Sequence, residues 1–256
     1  MWTRAQLKQN AKAALRGRYW MAFLVCLLAG MLAGGSSGGV GGASGGLSGA
    51  SSMNSGSGGD PSMFAEVFAD NPALVVTLVI VVLVIMALAI CYTIFVANPI
   101  LVGYRDYFME NRMGQPGFGR LFSGFNKNYK NIVLTVFLKN LFIGLWSLLF
   151  IIPGIIKAYQ YYFVEYIMAE NPTIEWRRAL DLSRQMTNGQ KWNIFVLELS
   201  FLGWELLGAL ACGVGTLFVA PYISATMAEL YEASREKALY ENLTNPQELP
   251  GFVLHP

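Results

Sequence analysis

Five ionisable side chains lie inside apolar runs of this chain: Lys139, Lys157, Glu165, Glu198 and Glu205. A charge at bilayer depth is costly. It faces a bundle interior or water, pairs with a partner, and often marks a proton or ion path. Glu198 and Glu205 are seven residues apart, so a helix places both on one face. Lys139 sits well inside its own apolar run, where an ammonium needs a partner or water. The expected cluster is therefore Lys139 within direct or one-water reach of Glu198 or Glu205, with Glu165 as the competing carboxylate. Its chemistry would be proton or ion coupling, and the plain alternative is a buried ion pair that sets helix register. Glu165 and Lys157 lie nearer the expected interfaces, where long side chains snorkel.

Catalytic chemistry finds little else. Paired carboxylates can do acid–base work, but no activated nucleophile accompanies them. The single histidine is His255, beside the C-terminus, so Ser183 and Ser200 have no imidazole to activate them. Cys26, Cys91 and Cys212 are odd in number, scattered in apolar runs and without C-x-x-C spacing. That argues against disulfides and metal sites and for packing residues. The glycine doublets between residues 34 and 59 lack the lysine and the strand–helix context of a phosphate loop. No catalytic residue, metal ligand or cofactor site is assigned, and the expectation is a protein that is not an enzyme.

The elements that must carry these residues follow from composition and charge. Of 256 residues, 54% are hydrophobic and 13% charged, against roughly 25% charged in soluble domains. A chain this short cannot hide that much apolar surface in one core, so lipid is the simpler solvent. The net charge of +2 gives no electrostatic case for nucleic acid.

No lysine or arginine lies between Arg18 and Arg105. The others gather at residues 4–18, 105–130, 177–191 and 235–237, with Lys139 and Lys157 alone in apolar surroundings. This positive-inside pattern predicts a multi-pass protein of the cell membrane with both termini cytoplasmic. Anionic headgroups on the cytoplasmic side are the expected partners of the basic clusters.

The reading along the chain is an all-α integral membrane bundle: about six transmembrane helices in hairpins, plus cytoplasmic amphipathic helices, in one domain over 1–256. Residues 1–18 form a basic amphipathic helix with Leu7, Ala11, Ala14 and Leu15 on one face. It leads through the interfacial pair Tyr19-Trp20 into a first span, retained rather than cleaved as a signal. Residues 34–72 form an extracytoplasmic loop rich in Gly and Ser. Residues 73–97 are the clearest span, longer than the roughly 20 residues needed.

Further spans are expected over 131–152, 155–169, 193–211 and 216–233, with Pro153-Gly154 breaking the chain and Pro221 bending the last. Four spans with a re-entrant middle pair is the alternative. Residues 173–188 read as a cytoplasmic interfacial helix. Trp176, Ala179, Leu180, Ser183 and Met186 form its apolar face, and Arg177, Arg178 and Arg184 are placed to meet headgroups. Packing on the protein's own loops is the competing reading of that face. Residues 240–256 form a polar tail that should fray.

There is also internal repetition. Phe95-Val96-Ala97-Asn98-Pro99 resembles Phe218-Val219-Ala220-Pro221, and a glutamate stands eleven residues after each proline, Glu110 and Glu232. Pro153 offers a weaker third copy. Three helical hairpins would fit this pattern.

The run Leu145-Trp146-Ser147-Leu148-Leu149-Phe150-Ile151-Ile152-Pro153-Gly154-Ile155-Ile156-Lys157 resembles the central signature of a bacterial membrane family, domain of unknown function 975. The likeness continues through Ala169-Glu170-Asn171-Pro172, Ala179-Leu180, Ser183, Met186, Gly189 and Lys191-Trp192. It extends to Leu199-Ser200-Phe201-Leu202-Gly203-Trp204, Pro221-Tyr222 and Tyr231. Leu7-Lys8 and Ala11-Lys12 before Tyr19-Trp20 look like the family's start. The resemblance implies a multispanning bacterial membrane protein with no established activity. The family is also distantly similar to the membrane domain that accompanies glycerophosphodiester phosphodiesterases, but no such catalytic domain is found in this sequence.

Two functions are expected from these readings. One is a non-enzymatic scaffold, lipid-interacting or accessory membrane module working with unidentified protein partners. The other is a small transporter or export factor using Lys139, Glu198 and Glu205. A water-accessible cavity joining those three would favour the transporter, and internally satisfied pairs would favour the module.

Overall fold

The computed structural model describes residues 2–33, 72–126, 128–210 and 214–252. The Gly/Ser-rich loop up to residue 71, the turn at Cys212 and the last four residues lie outside them. The described residues form helices and turns without a strand.

The helices are α1 (Arg4–Leu15), α2 (Tyr19–Ala33), α3 (Pro72–Tyr92), α4 (Asn98–Met113), α5 (Ser123–Asn126), α6 (Tyr129–Leu149) and α7 (Ile151–Gln160). After them come α8 (Val164–Glu170), α9 (Trp176–Met186), α10 (Lys191–Leu210) and α11 (Val214–Tyr240). A single π turn, Thr93–Ala97, joins α3 to α4, and a 3₁₀ turn, Phe118–Phe122, leads into α5.

Two of these are long and apolar enough to cross a membrane, Ala73–Met113 and Tyr129–Leu149. A third would be Arg4–Leu15 with Tyr19–Ala33 if that pair, bent by 100°, counts as one span. The expectation of six comparable spans is thus not met by length and composition. The physical reasons are local. Helix α7 has 10 residues and α8 only 7, separated by a turn at Tyr161–Phe163. A helix of 10 residues is about 15 Å long, half a hydrocarbon core. In α11 charged residues crowd the second half.

The chain break expected at Pro153-Gly154 falls three residues earlier. Phe150 is extended (φ −154°, ψ 139°), and Pro153 lies in the first turn of α7. There its missing N–H would have had no helical partner, so proline is tolerated. Gly154 is needed for a different reason. A Cβ at that position would lie 2.7 Å from Ser147 Cα, so glycine lets α6 and α7 close into a tight hairpin.

The repeated proline motifs sit in equivalent places. Pro99 cannot donate to the carbonyl of Phe95, and the Tyr129 hydroxyl donates to it instead (2.6 Å). At the second copy the Tyr19 hydroxyl donates to the carbonyl of Phe218 (2.5 Å), three residues before Pro221. The two phenylalanines that align in sequence therefore carry the same capped carbonyl. In each case the tyrosine opens a neighbouring helix.

The packing has two zones. In the first, α1, α4, α8, α9 and the second half of α11 form a close-packed core. It includes Tyr104, Tyr107, Phe108, Phe163, Tyr166 and Tyr231, all nearly inaccessible. Leu7, Ala11 and Leu15 bury the expected face of α1, but against α11 rather than lipid. In the second zone apolar side chains face outward: all of 73–92, one face of α2, the α6–α7 tip and the α10–α11 tip. Leu148, Ile151 and Leu210 are 86%, 76% and 82% exposed, which only an apolar surrounding tolerates.

The tail does not fray before residue 252. Leu249 is buried, Phe252 packs on the core, and the tail's backbone is tied to α8 and α11. The Asn171 side-chain amide also donates to the carbonyl of Glu248 (2.9 Å).

Candidate functional site

Hairpin geometry decides which carboxylate meets Lys139. In the hairpin made by α6 and the returning α7–α8, Ser147 meets Gly154 near the tip. Eight residues down α6 stands Lys139, and about as far along the return lies Glu165. Further down, the Asn131 amide donates to the carbonyls of Pro172 and Ile174 (2.8 and 2.7 Å). The Lys139 ammonium accordingly donates to Glu165 (Nζ–Oε1 2.6 Å). The other oxygen of Glu165 accepts from Arg105 on α4 (Nε–Oε2 3.0 Å). The guanidinium of Arg105 also lies over the rings of Tyr166 and Tyr104, at 5.0 and 5.7 Å. One carboxylate thus neutralises two cations from two other helices, and all three side chains are at most 15% exposed.

The expected pairing of Lys139 with Glu198 or Glu205 is therefore corrected. Glu198 accepts from the Tyr159 hydroxyl instead (2.6 Å). Tyr162 also acts on this carboxyl, although its buried second oxygen, Oε1, has no well-formed hydrogen bond among the described residues. Glu205 is half-buried further along α10 and makes no ion pair among them. Glu198 and Glu205 do share a helix face, but on it Glu198 meets Tyr159 of α7 and Lys139 meets Glu165.

A second buried hub lies on α8. Glu170, whose side chain is 0% exposed, accepts from Arg235 (2.7 Å), the Tyr231 hydroxyl (2.6 Å) and the backbone N–H of Gly251 (2.7 Å). A third joins α4 to α11. Arg112 reaches Glu229 (2.8 Å) and Glu232 (3.2 Å), and Asn10 of α1 adds a bond to Glu229 (3.4 Å). Arg120 pairs with Glu110 and, at 3.5 Å, with Asp106.

Of the basic cluster 105–130, expected to meet headgroups, Arg105, Arg112 and Arg120 are thus turned inward onto carboxylates, while Lys130 stays exposed. Composition alone could not reveal this. Asp106 with Glu110, and Glu229 with Glu232, recur at helical spacing, but their arginine partners stand on other elements.

Helix α9 also corrects the lipid assignment. Its apolar face, Ala179, Leu180, Leu182, Ser183 and Met186, is buried in the protein, so it cannot enter the headgroup layer. Arg178 is bound by the tail: Nε and Nη2 donate to the two oxygens of Glu248 (2.6 and 2.8 Å), and Nη2 also donates to the carbonyl of Leu243 (2.8 Å). Arg177, stacked over Trp176, and Arg184 remain exposed.

The Arg178–Glu248 pair gives an acid-sensitive latch. Hydrogen bonds from Arg178 hold the Glu248 carboxyl below its ordinary pKa, against a smaller opposing effect of burial. A carboxyl lowered in the folded state contributes stability that is present above its unfolded pKa, about 4.3. That contribution is lost as pH falls through the folded value. The protection of amides in residues 241–252, measured against the intrinsic exchange rate at each pH, should therefore fall in acid, and Glu248→Gln should abolish that pH dependence. Equal acid sensitivity in the variant would mean that another group controls the tail.

A cavity of about 910 Å³ lies between α1, the turn before α10, and α11. Trp2, Asn10, Gln190, Arg112, Glu229 and Glu236 are among its walls, and Lys139, Glu165, Glu198 and Glu205 are not. No group of three or more His, Cys, Asp or Glu side chains among the described residues is arranged to hold a metal ion.

Residues 148–238 match the family described as "Protein of unknown function (DUF975)". No curated protein and no solved structure matches the chain. The matched region runs from the α6–α7 tip to the end of α11. It contains Glu165, Glu170, Glu198 and the uncovered apolar tips of both hairpins. Over residues 148–238, the chain is similar to the DUF975 family.

Proposed function

We propose that the protein is a non-enzymatic, multi-pass module of the cell membrane, a scaffold or accessory subunit that works through lipid and protein contacts. The observation that carries this reading is the fate of the buried charges. Lys139, Glu165 and Arg105 are occupied by one another, as are Glu170 with Arg235 and Arg112 with Glu229 and Glu232. Their geometry suits holding helices in register, whereas a conducting path needs groups that exchange partners. The surface left uncovered is apolar and lies on α3 and the two hairpin tips, where lipid or another membrane protein would sit.

In this reading six segments enter the membrane as three hairpins, with both termini cytoplasmic. Its support is mutual contact. The N-terminal helix, the loop after α4, the turn before α10 and the tail all touch one another or the same helix ends. Arg18 donates to the carbonyls of Asn111 (3.0 Å) and Gly114, and the Trp2 indole donates to Gln190 (2.5 Å). In a cysteine-free background, a reporter cysteine in the Gly/Ser loop should react with an impermeant reagent from outside, and one at Gly117 should not. The reverse pattern would reject the threading.

The transporter reading keeps one observation, the buried Glu198 carboxyl outside the ion pairs formed among the described residues. Affinity purification in mild detergent, with identification of retained proteins and lipids, tests the module reading. Reproducible partners at defined ratio are expected. A chain recovered free of both would contradict it.

A further inference from the structure

Three cations on three different elements gather at one helix junction with no ion pair among the described residues. Lys157 is on α7, Arg184 ends α9, and Lys191 opens α10. The packing that gathers them is specific. The carbonyl of Gln160, at the end of α7, accepts from the hydroxyls of Ser183 (3.0 Å) and Thr187 (3.4 Å). These bonds draw the end of α9 and the following turn onto the end of α7.

The Lys157 ammonium is held over the rings of Trp146 (5.2 Å) and Tyr161 (5.6 Å). Arg184 and Lys191 both act electrostatically on Lys157, and Arg184 also acts on Tyr161. None of the three cations makes an ion pair among the described residues, in a chain that pairs Arg105, Arg112, Arg120, Arg178 and Arg235. Gathering like charges in this way costs energy unless an anion is shared between them.

Next to the cluster the surface is apolar. Ile152 and Trp192 are 73% and 72% exposed, and Ile155 and Ile156 are exposed beside them. A phosphate at the cations and hydrocarbon along the isoleucines is the chemistry of a phospholipid. We propose that Lys157, Arg184 and Lys191 form a binding site for the phosphate of an anionic phospholipid, with its acyl chains against the α7 tip and Trp192. This deepens the module reading and rests on it. It moves the lipid contact from the arginine face of α9 to a junction of three helices that keeps only Arg184 of that face.

The full chain, purified in mild detergent, is titrated with dioleoylphosphatidylglycerol, dioleoylphosphatidylcholine or inorganic phosphate, and melting temperature and bound lipid are read. Phosphatidylglycerol should stabilise saturably and bind more tightly than phosphatidylcholine. K157Q/R184Q/K191Q should weaken it on the order of 100-fold. The lipid-free melting temperature of that variant should change little, because none of the three side chains loses an ion pair among the described residues and only Lys157 gives up ring contacts, with Trp146 and Tyr161. If the triple variant does not fold, R184Q alone, at an exposed position, should weaken binding roughly tenfold.

R177Q removes an exposed charge two turns away on α9 and should leave binding unchanged. An equal loss in R177Q would show a diffuse surface potential and overturn the site. Equal binding of the two lipids, or undiminished binding by the folded variants, would overturn it as well. Stabilisation by inorganic phosphate alone would assign the cluster to a free anion. A failed titration alongside retained protein partners would sink this site and leave the module reading standing.

Discussion

Glu165→Gln should destabilise the protein by about 3–5 kcal/mol, the cost of breaking a buried pair from one side. The substitution removes the negative charge that Lys139 and Arg105 share and leaves both cations in a site at most 15% exposed. The amide oxygen can still accept one hydrogen bond, so the loss is chiefly electrostatic. Lys139→Met alone should cost less, because Arg105 still faces Glu165 (3.0 Å). Combining Lys139→Met with Glu165→Gln should recover part of the single-variant loss, since one stranded cation is removed. Thermal unfolding in detergent reads this cycle. Strict additivity would mean that the 2.6 Å contact carries no coupling.

Glu170→Ala should be comparably severe and should act at a distance along the chain. This carboxylate, fully inaccessible, collects donors from Arg235, Tyr231 and Gly251. Removing it leaves a buried guanidinium with Glu232 (3.3 Å) and the carbonyl of Leu249 (2.9 Å) as its remaining anchors. A loss of about 3–5 kcal/mol is expected. The segment after Tyr240 should also become open to protease, because its tie to α8 through Gly251 is gone. A variant that loses stability while its tail stays protected would show that Arg178 and Glu248 hold the tail unaided.

Much of this architecture was legible in the sequence. Leu7, Ala11 and Leu15 mark the buried face of α1, and Ala179, Leu180, Ser183 and Met186 that of α9. Periodicity shows that a face is covered but not what covers it. Both faces meet protein, although the basic residues opposite them suggested headgroups. The repeated Phe-Val-Ala and proline motif was readable too, and its two phenylalanine carbonyls receive equivalent tyrosine hydroxyls.

The ion pairs were harder to see. Sharing a face ties Glu198 to Glu205, but it cannot say which helix they look at. The partner of Lys139 depends on hairpin register. With the chain reversing at Phe150, Lys139 and Glu165 stand opposite each other on the two arms. Long-range pairs such as Glu170 with Arg235 or Arg178 with Glu248 depend on how α8, α9 and α11 meet, and no local pattern encodes that.

The central claim is that the buried charges hold the bundle and do not conduct. The most direct test is proton and cation flux into liposomes containing the purified chain, compared with Glu198→Gln, which alters a buried carboxyl outside the ion pairs formed among the described residues. No flux above protein-free vesicles is expected, for either protein. A flux carried by the native chain and abolished by Glu198→Gln in a normally folded variant would contradict the account.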